Sequence, residues 1–443
     1  MVAKNMIGHP LRPTLYENPV LPFDSKDWER NHVWLHKQPF ALWSMALSMS
    51  LFGVSELALR LPSVILSTLM VLAIFGIGKE LFGNRVGLAA AFFAAINGLL
   101  IGLAGGQWAT DHVDTFFAAL TAMSVYFAVR VASGERLSWA VATGVTLGLA
   151  LLSKHLPALI VLPVWILLEC AYARPSWGRV LTRGVIITGI AAIIFVPWQV
   201  YIHHAFPAEA AWESAYNIRH LFEPLEGHAF GAGFHLFNLR YGYGEMVYVA
   251  IAWFFFRCWR ERKFEWLAIG CWLLVPLIFF TLAATKMKGY MLISSGAISI
   301  MLGLFFVQLK DTHWASPYRR WVAVTILLFL VLLPLRSWLV RPFLHTDRSP
   351  DWAGNLRKMA PSVDSKTVLF NIERPICAMF YTPATAYRRI PTEATIEGLQ
   401  RDGYRVLINS QGPANVPPDV ASLPGVQSIW LGNEPVYRVD SHN

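Results

Sequence analysis

The sequence predicts a polytopic α-helical membrane protein that carries a small extracytoplasmic α/β domain at its C-terminal end. Three observations predict it. Of 443 residues, 55% are hydrophobic and only 15% charged, with a mean hydropathy of +0.44, whereas about one-quarter of a soluble domain is charged. Apolar runs recur from Leu61 to Val340, each of the roughly 20 residues that a helix needs to cross a bilayer. After Arg341 charge and proline increase, and short β-rich runs alternate with helical stretches. These features exclude a soluble cytoplasmic enzyme.

Residues 1–60 read as an extracytoplasmic segment. Its first forty residues are polar, and Phe40–Phe52 is an apolar helix with Trp43, Met45 and Met49, too short to span and placed along the membrane surface. Residues 61–340 form the transmembrane domain, with spans expected near 61–82, 86–104, 112–130, 138–153, 157–172, 183–204, 241–257, 265–284, 290–307 and 320–340, and a long outer loop at 205–240. Residues 341–443 form the α/β domain, with strands expected at Thr367–Ile372, Tyr404–Asn409, Val426–Leu431 and Pro435–Val439 and a helix at Thr392–Asp402.

The chain carries 37 Lys and Arg against 28 Asp and Glu, a net charge of +9. In a soluble protein that excess suggests a nucleic-acid partner; here it follows from topology, and no nucleic acid is implied. Basic residues gather in short cytoplasmic loops, and alternate loops carry Lys79 and Arg85; Arg130 and Arg136; Arg174, Arg179 and Arg183; Arg257, Arg260, Arg262 and Lys263; and Lys310, Arg319 and Arg320. The opposite, outer face then receives most of the chemically interesting residues. The four cysteines, Cys170, Cys258, Cys271 and Cys377, have no CxxC spacing and imply neither a disulfide framework nor a zinc knuckle.

On that outer face, His36-Lys37 precedes the surface helix, where an ammonium can meet a phosphate or simply snorkel to the interface. Thr110-Asp111-His112-Val113-Asp114 opens a span; metal binding, activation of a hydroxyl, orientation of a sugar and helix capping are all open for it. Lys154-His155 and Lys286-Met-Lys288-Gly-Tyr290 place cations against the cytoplasmic bias, which points to an anionic ligand. The loop from Trp212 and Glu213 through Arg219, His220 and Glu226 to His228 mixes rings, carboxylates and imidazoles, as suits a sugar, although an amphipathic surface helix uses the same residues. Histidines beside carboxylates permit a divalent metal without demanding one; no other cofactor is implied.

His36-Lys37-Gln-Pro-Phe-Ala-Leu-Trp, continuing through Leu51-Phe-Gly-Val-Ser-Glu-Leu-Ala-Leu-Arg60-Leu-Pro-Ser63, resembles the GT-C glycosyltransferases of the protein-mannosyltransferase and aminoarabinose-transferase superfamily. The resemblance continues in Asp111-His112-x-Asp114, Leu152-Ser-Lys154, Arg219-His220…Glu226-Gly-His228 and Thr285-Lys286…Tyr290. It implies a multi-pass protein of the cell inner (plasma) membrane that transfers a sugar from a polyprenyl-phosphate carrier to a lipid, glycan or protein acceptor on the extracytoplasmic face. By that resemblance Lys37, Lys154 and Lys286 face the donor phosphate with Arg219 as a helper, Asp111 matches the family's second acidic position, and His36, His220 and Tyr290 match positions near the donor phosphate or a metal. With the residues' own chemistry this makes Asp111, His112 and Asp114 the catalytic candidates, Lys37, Lys154, Arg219, Lys286 and Tyr290 the donor-phosphate set, and Trp212, Glu213, His220, Glu226 and His228 the sugar and acceptor loop. Implied partners are the lipid-linked sugar donor, membrane lipids and an acceptor that the sequence does not identify.

The family's principal acidic motif, an Asp-Glu pair after a leading transmembrane helix, has no counterpart ahead of Val2-Ala-Lys-Asn-Met6. The resemblance therefore implies an N-terminally shortened chain, in which Asp24 or Asp27 are the nearest substitutes. Two other function classes compete. A secondary transporter or lipid flippase is also polytopic and basic, but keeps ionisable groups near the midplane; a non-catalytic scaffold does not require Asp111, His112, Asp114 and the outer lysines together.

Overall fold

A computed structural model describes residues 1–24, 30–106, 113–134, 136–172, 176–312, 316–339, 351–410, 416 and 418–431. The chain divides into two compact units: Met1–Trp34 with Asp347–Asn443, and Leu35–Thr346. The first contains the helical turn α1 (Val2–Asn5), and the second is helical throughout.

The helical unit begins with α2 (Pro39–Phe52), the short apolar helix read from the sequence. Its successors are α3 (Glu56–Phe82), α4 (Asn84–Ala95), α5 (Gly98–Ala104), α6 (Val113–Ser133), α7 (Leu137–Lys154), α8 (Val161–Tyr172) and α9 (Trp177–Ala205). Then come α10 (Pro207–Phe222), α11 (Phe234–Tyr243), α12 (Val247–Glu261), α13 (Phe264–Leu282), α14 (Ser295–Asp311) and α15 (Pro317–Leu339). Among the described residues seven helices are long and apolar enough to cross a membrane, or eight if a bent pair is one span. The chain is a multi-pass membrane protein.

Three of the expected spans differ in detail. The run 86–104 breaks into α4 and α5, which meet at 53°. Asn97 makes the break, because its side chain accepts from Leu99 N and Leu100 N (3.0 and 3.1 Å) and so starts a new helix. The run 157–172 folds as a 3-10 turn (Leu156–Ile160) followed by the 12-residue α8, and 241–257 yields the 15-residue α12. The long loop 205–240 is itself largely helical: α10 and α11 occupy most of it.

Small residues let the helices approach closely, as helix packing in a membrane requires. A Cβ on Gly303 of α14 would lie 2.8 Å from Ala90 N of α4, and one on Gly144 of α7 would lie 2.8 Å from Ile187 O of α9. Helix α6 is the central element, packed on α3, α7 and α8, and Ser124 on it bonds Thr143 O (3.1 Å) and Thr146 Oγ1 (2.9 Å) of α7. Arg183 of α9 pairs with Glu169 of α8 at 2.9 Å, and Trp165 Nε1 completes that buried carboxylate's shell (3.0 Å). One interior charge pair is thereby satisfied.

The other unit is built on a four-stranded parallel sheet in the order β2-β1-β3-β4: β1 (Thr367–Phe370), β2 (Thr385–Ala386), β3 (Arg405–Asn409) and β4 (Gln427–Ile429). Helices α16 (Asp351–Met359), α17 (Pro375–Tyr381), α18 (Glu393–Arg401) and α19 (Pro418–Ala421) accompany it. Strands β1, β3 and β4 and helix α18 fall within the expected runs; β2 is an addition, and Pro435–Val439 lies outside the described residues. The N-terminal stretch belongs to this unit. Tyr16 stacks on Tyr387 (4.9 Å), Lys4 Nζ donates to Met379 O (2.9 Å), and Val20 N and Leu21 N donate to the Tyr387 hydroxyl (3.0 and 3.2 Å).

Candidate active site

Within the helical unit, residues from distant stretches of the chain meet in two clusters. His36, just ahead of α2, turns its Nδ1 toward Glu213 Oε1 of α10 (3.2 Å), and its Nε2 lies 4.0 Å from Glu226 Oε1. Tyr216, one turn after Glu213, donates its hydroxyl to Glu226 (2.8 Å) and stacks on Trp212 (4.9 Å). Asn217 donates to Glu213 Oε1 (3.0 Å), so the buried carboxylate is held from two sides. Three-to-four-residue spacing on α10 puts Trp212, Glu213, Tyr216 and His220 along one stripe.

The end of α10 is zipped to the segment after α13. Thr285 N donates to His220 O (3.0 Å), Lys286 N to His228 O (3.2 Å), and the Thr285 hydroxyl donates to Glu223 O (2.8 Å) while accepting from Leu225 N (3.0 Å). Glu226 takes a positive φ of 55° in the turn this creates. Burial pushes the His220 imidazole down from its ordinary range, opposed by the Glu226 carboxylate and reinforced by the positive charges of His36 and Lys37. Its Nδ1 is buried with no hydrogen-bond partner. Burial and the hydrogen bond to Glu226 hold the Tyr216 phenol well above its ordinary range.

A second cluster lies at the ends of α6 and α7. Asp114, in the first turn of α6 and buried, forms an ion pair with Lys154 in the last turn of α7. Gly289 leaves the room for it, since a Cβ there would meet Asp114 Oδ2. Lys154 Nζ lies 4.9 Å from the centre of the Tyr290 ring, which packs on Phe280 (4.6 Å) and stacks near His235 of α11 (6.1 Å). Burial pushes His235 down to about 4, with the Lys286 charge acting in the same direction. Beside Lys154, His155 meets Gln38 (2.6 Å), and Gln199 of α9 donates to Gln38 Oε1 (2.8 Å). This chain of side chains ties the His36 stretch to α7 and α9.

The predicted residues thus divide. Lys37, Trp212, Glu213, His220 and Glu226 come together with His36, His228 joins the segment after α13 through its backbone oxygen, and Asp114, Lys154 and Tyr290 form the second cluster. Lys286 is buried and donates Nζ to Ala283 O (2.7 Å). Arg219 is exposed and bonded through Nε and Nη2 to Glu223 (3.0 and 2.7 Å), whose carboxyl it holds below the usual range. Asp111 and His112 lie outside the described residues, as does Asp27. Among the described residues no three His, Cys, Asp or Glu side chains are grouped to hold a metal ion. Gln199 and His235 also build the site without being predicted, and of these Gln199, polar within the apolar run 183–204, has a visible signal; Gln38, His155, Tyr216 and Thr285 stand inside the motifs read from the sequence, which give them no role.

A family model described as dolichyl-phosphate-mannose-protein mannosyltransferase matches residues 36–201. The chain is 25% identical over 304 residues to undecaprenyl phosphate-alpha-4-amino-4-deoxy-L-arabinose arabinosyl transferase 1 of Pseudomonas fluorescens, covering 65% of this chain and 52% of that one. A Proteus mirabilis transferase of the same description, numbered 2, is 23% identical over 276 residues, covering 60% and 48%. The chain spans about half the length of the curated relatives it matches. The structure superimposes on apo ArnT from Cupriavidus metallidurans with a TM-score of 0.58 at 16% identity, covering 91% of this chain and 82% of ArnT. The chain has the GT-C fold. A second GT-C structure, the archaeal oligosaccharyltransferase AglB from Archaeoglobus fulgidus in complex with an inhibitory peptide and a dolichol-phosphate, matches with a TM-score of 0.60 at 13% identity, covering 87% and 59%. The GT-C fold implied by the sequence motifs is therefore the fold observed.

Proposed function

We propose that this GT-C chain is a membrane glycosyltransferase that moves a sugar from a polyprenyl-phosphate carrier to a lipid, glycan or protein acceptor at the extracytoplasmic face of the inner membrane. The observation that carries the reading is the meeting of His36, Lys37 and His220 with Glu213 and Glu226 where apolar helices end. A carrier with its prenyl chain in the bilayer presents its phosphate at such a boundary. The relatives support the donor class: a second ArnT structure is described as bound to undecaprenyl phosphate, and AglB is in complex with a dolichol-phosphate.

In this reading Lys37 and Lys154 face the carrier phosphate, with Lys286, Arg219 and Tyr290 around it. The acceptor oxygen attacks the anomeric carbon as the bond from that carbon to the phosphate oxygen breaks, leaving the electron pair on the phosphate. The acceptor proton passes to a carboxylate, for which Asp111 is the assigned residue; Asp114 orients Lys154, and His112 lies between them in sequence. Cations near the departing phosphate stabilise its charge in a water-poor site. Trp212, Glu213, Glu226 and His228 shape the sugar and acceptor side. His36 and His220 are the assigned ligands should a divalent ion be required.

The direct test is release of sugar from radiolabelled polyprenyl-phosphate sugars in membrane vesicles that contain the chain. Uptake of a solute without sugar release would overturn the reading in favour of a transporter. Sidedness is tested with a cysteine-free chain carrying either Phe222→Cys or Tyr318→Cys, since both positions are 77% exposed. An impermeant thiol reagent should label only the former in intact spheroplasts; the reverse pattern would invert the assigned orientation.

A further inference from the structure

His155 ends α7 in a backbone conformation that a side chain resists. Its φ is 61° and its ψ −153°, a region that essentially only glycine occupies and that another residue keeps when the surrounding structure holds it there. Its N–H donates to Leu151 O (2.9 Å), and the chain then turns into the 3-10 segment Leu156–Ile160. A glycine would make this turn without strain, so the position is accounted for by what the imidazole does.

The imidazole is half-buried, edge-on to Phe195 of α9 (5.9 Å between ring centres), and its Nε2 lies 2.6 Å from Gln38 Nε2. An amide nitrogen only donates, so His155 Nε2 is the accepting nitrogen and the ring is neutral. Burial favours that form, pushing the imidazole down from its ordinary range against the pull of the Glu213 carboxylate. Gln199 of α9 donates to Gln38 Oε1 (2.8 Å), which fixes the buried amide in the orientation that presents its nitrogen to His155. The bond is thus specified by the strained end of α7, the residue ahead of α2 and a side chain of α9.

We propose that His155 is a positioning residue: through its bond to Gln38 it sets the separation of Lys37 and Lys154 and so matches both to one carrier phosphate. The inference rests on the transferase reading, in which these two lysines face that phosphate. Each is a compact charge on a flexible stem, and each belongs to a different cluster: Lys154 pairs with Asp114, while the charge of Lys37 acts on His220. Gln38 directly follows Lys37 and His155 directly follows Lys154, so one bond between residues 117 apart in the chain joins the two backbones that carry the ammonium groups. Stabilising charge on a phosphate depends on cations held in place beforehand.

Equilibrium binding of radiolabelled undecaprenyl phosphate to the purified full chain in mixed micelles measures carrier affinity, and sugar release in vesicles separates KM from kcat. His155→Phe keeps a ring against Phe195 but accepts no hydrogen bond. It should weaken carrier binding about tenfold, the scale of one buried hydrogen bond, and raise KM for the carrier sugar with a smaller change in kcat. Gln38→Leu should weaken binding to a similar degree, and Gln38→Leu/His155→Phe no further, since the same bond is lost in all three. His155→Gln, whose amide oxygen reaches the place of Nε2, should recover most of the binding. If His155→Phe does not fold, Gln199→Leu, which frees the Gln38 amide without touching α7, carries the same prediction. The inference is overturned by undiminished carrier binding in His155→Phe or, in its place, Gln199→Leu, by additive losses in the double variant, or by a His155→Gln chain that melts like wild type yet binds no better than His155→Phe. A wild-type chain that neither binds the carrier nor releases sugar would overturn the transferase reading itself, and the inference with it.

Discussion

His36 Nδ1 lies 3.2 Å from Glu213 Oε1, joining the stretch before α2 to α10, from which α2–α9 separate it in the chain. Because Glu213 also accepts from Asn217 (3.0 Å), its loss would release both His36 and one face of α10. Glu213→Ala should lower sugar transfer by about 10–100-fold, the scale expected when a positioned group shifts by an ångström. Glu213→Gln keeps the shape and one acceptor, and should cost less. Initial rates in vesicles check this; equal rates for wild type and both variants would remove Glu213 from the site.

The Asp114–Lys154 pair makes a stability prediction that its catalytic assignment does not. Asp114 is buried and Lys154 partly so. Removing one partner leaves an uncompensated charge, which costs about 3–5 kcal/mol for a fully buried pair and less where one side reaches water. Asp114→Ala should therefore lower the thermal midpoint in detergent more than Asp114→Ala/Lys154→Met does. If the double variant melts no higher than the single one, the pair is not the source of the loss.

Acid should destabilise the helical unit through His235. Its folded pKa, about 4, is below the ordinary 6.5, so the unfolded chain binds the proton more readily. The stability from keeping this imidazole neutral is fully present above pH 6.5 and is lost as pH falls through 4. A shift of that size corresponds to about 3 kcal/mol. His220 is shifted the same way, so only part of the slope belongs to His235. Melting temperatures between pH 7 and pH 4 should fall less steeply in His235→Phe, whose ring can pack on Phe280 and Tyr290; parallel curves would refute the assignment.

Much of this architecture is legible in the sequence because a bilayer forces apolar helices to be long, and charge placed against the cytoplasmic bias is conspicuous. Lys37, Lys154 and His220 stand out for that reason. The helical character of 207–222 is less visible: Trp212, Glu213, Tyr216 and His220 repeat at helical spacing, yet the same mixture of rings and charges suits a binding loop. The break at Asn97 depends on a capping bond that hydropathy does not record. The grouping of Tyr16 with Tyr387, and of Gln38 with His155 and Gln199, depends on pairing between distant stretches, to which local periodicity is blind.

Thr285 offers the sharpest separation of architecture from chemistry. Its hydroxyl donates to Glu223 O (2.8 Å) and accepts from Leu225 N (3.0 Å), fastening the turn that carries Glu226 and His228 to the segment that carries Lys286. The residue is fully buried, so Thr285→Val keeps the volume while leaving a backbone acceptor and a backbone donor unsatisfied. Each such orphan costs about 1–3 kcal/mol. The backbone bond from Thr285 N to His220 O (3.0 Å) survives the substitution, so the turn should loosen rather than detach. Hydrogen exchange should quicken at residues 223–229 and stay slow in α6 and α14. Sugar transfer should fall because Glu226 no longer holds Tyr216 and His36 in place. Unchanged exchange in that turn would show that the hydroxyl does not fasten it, whereas faster exchange with undiminished transfer would remove Glu226 and His228 from the reacting site.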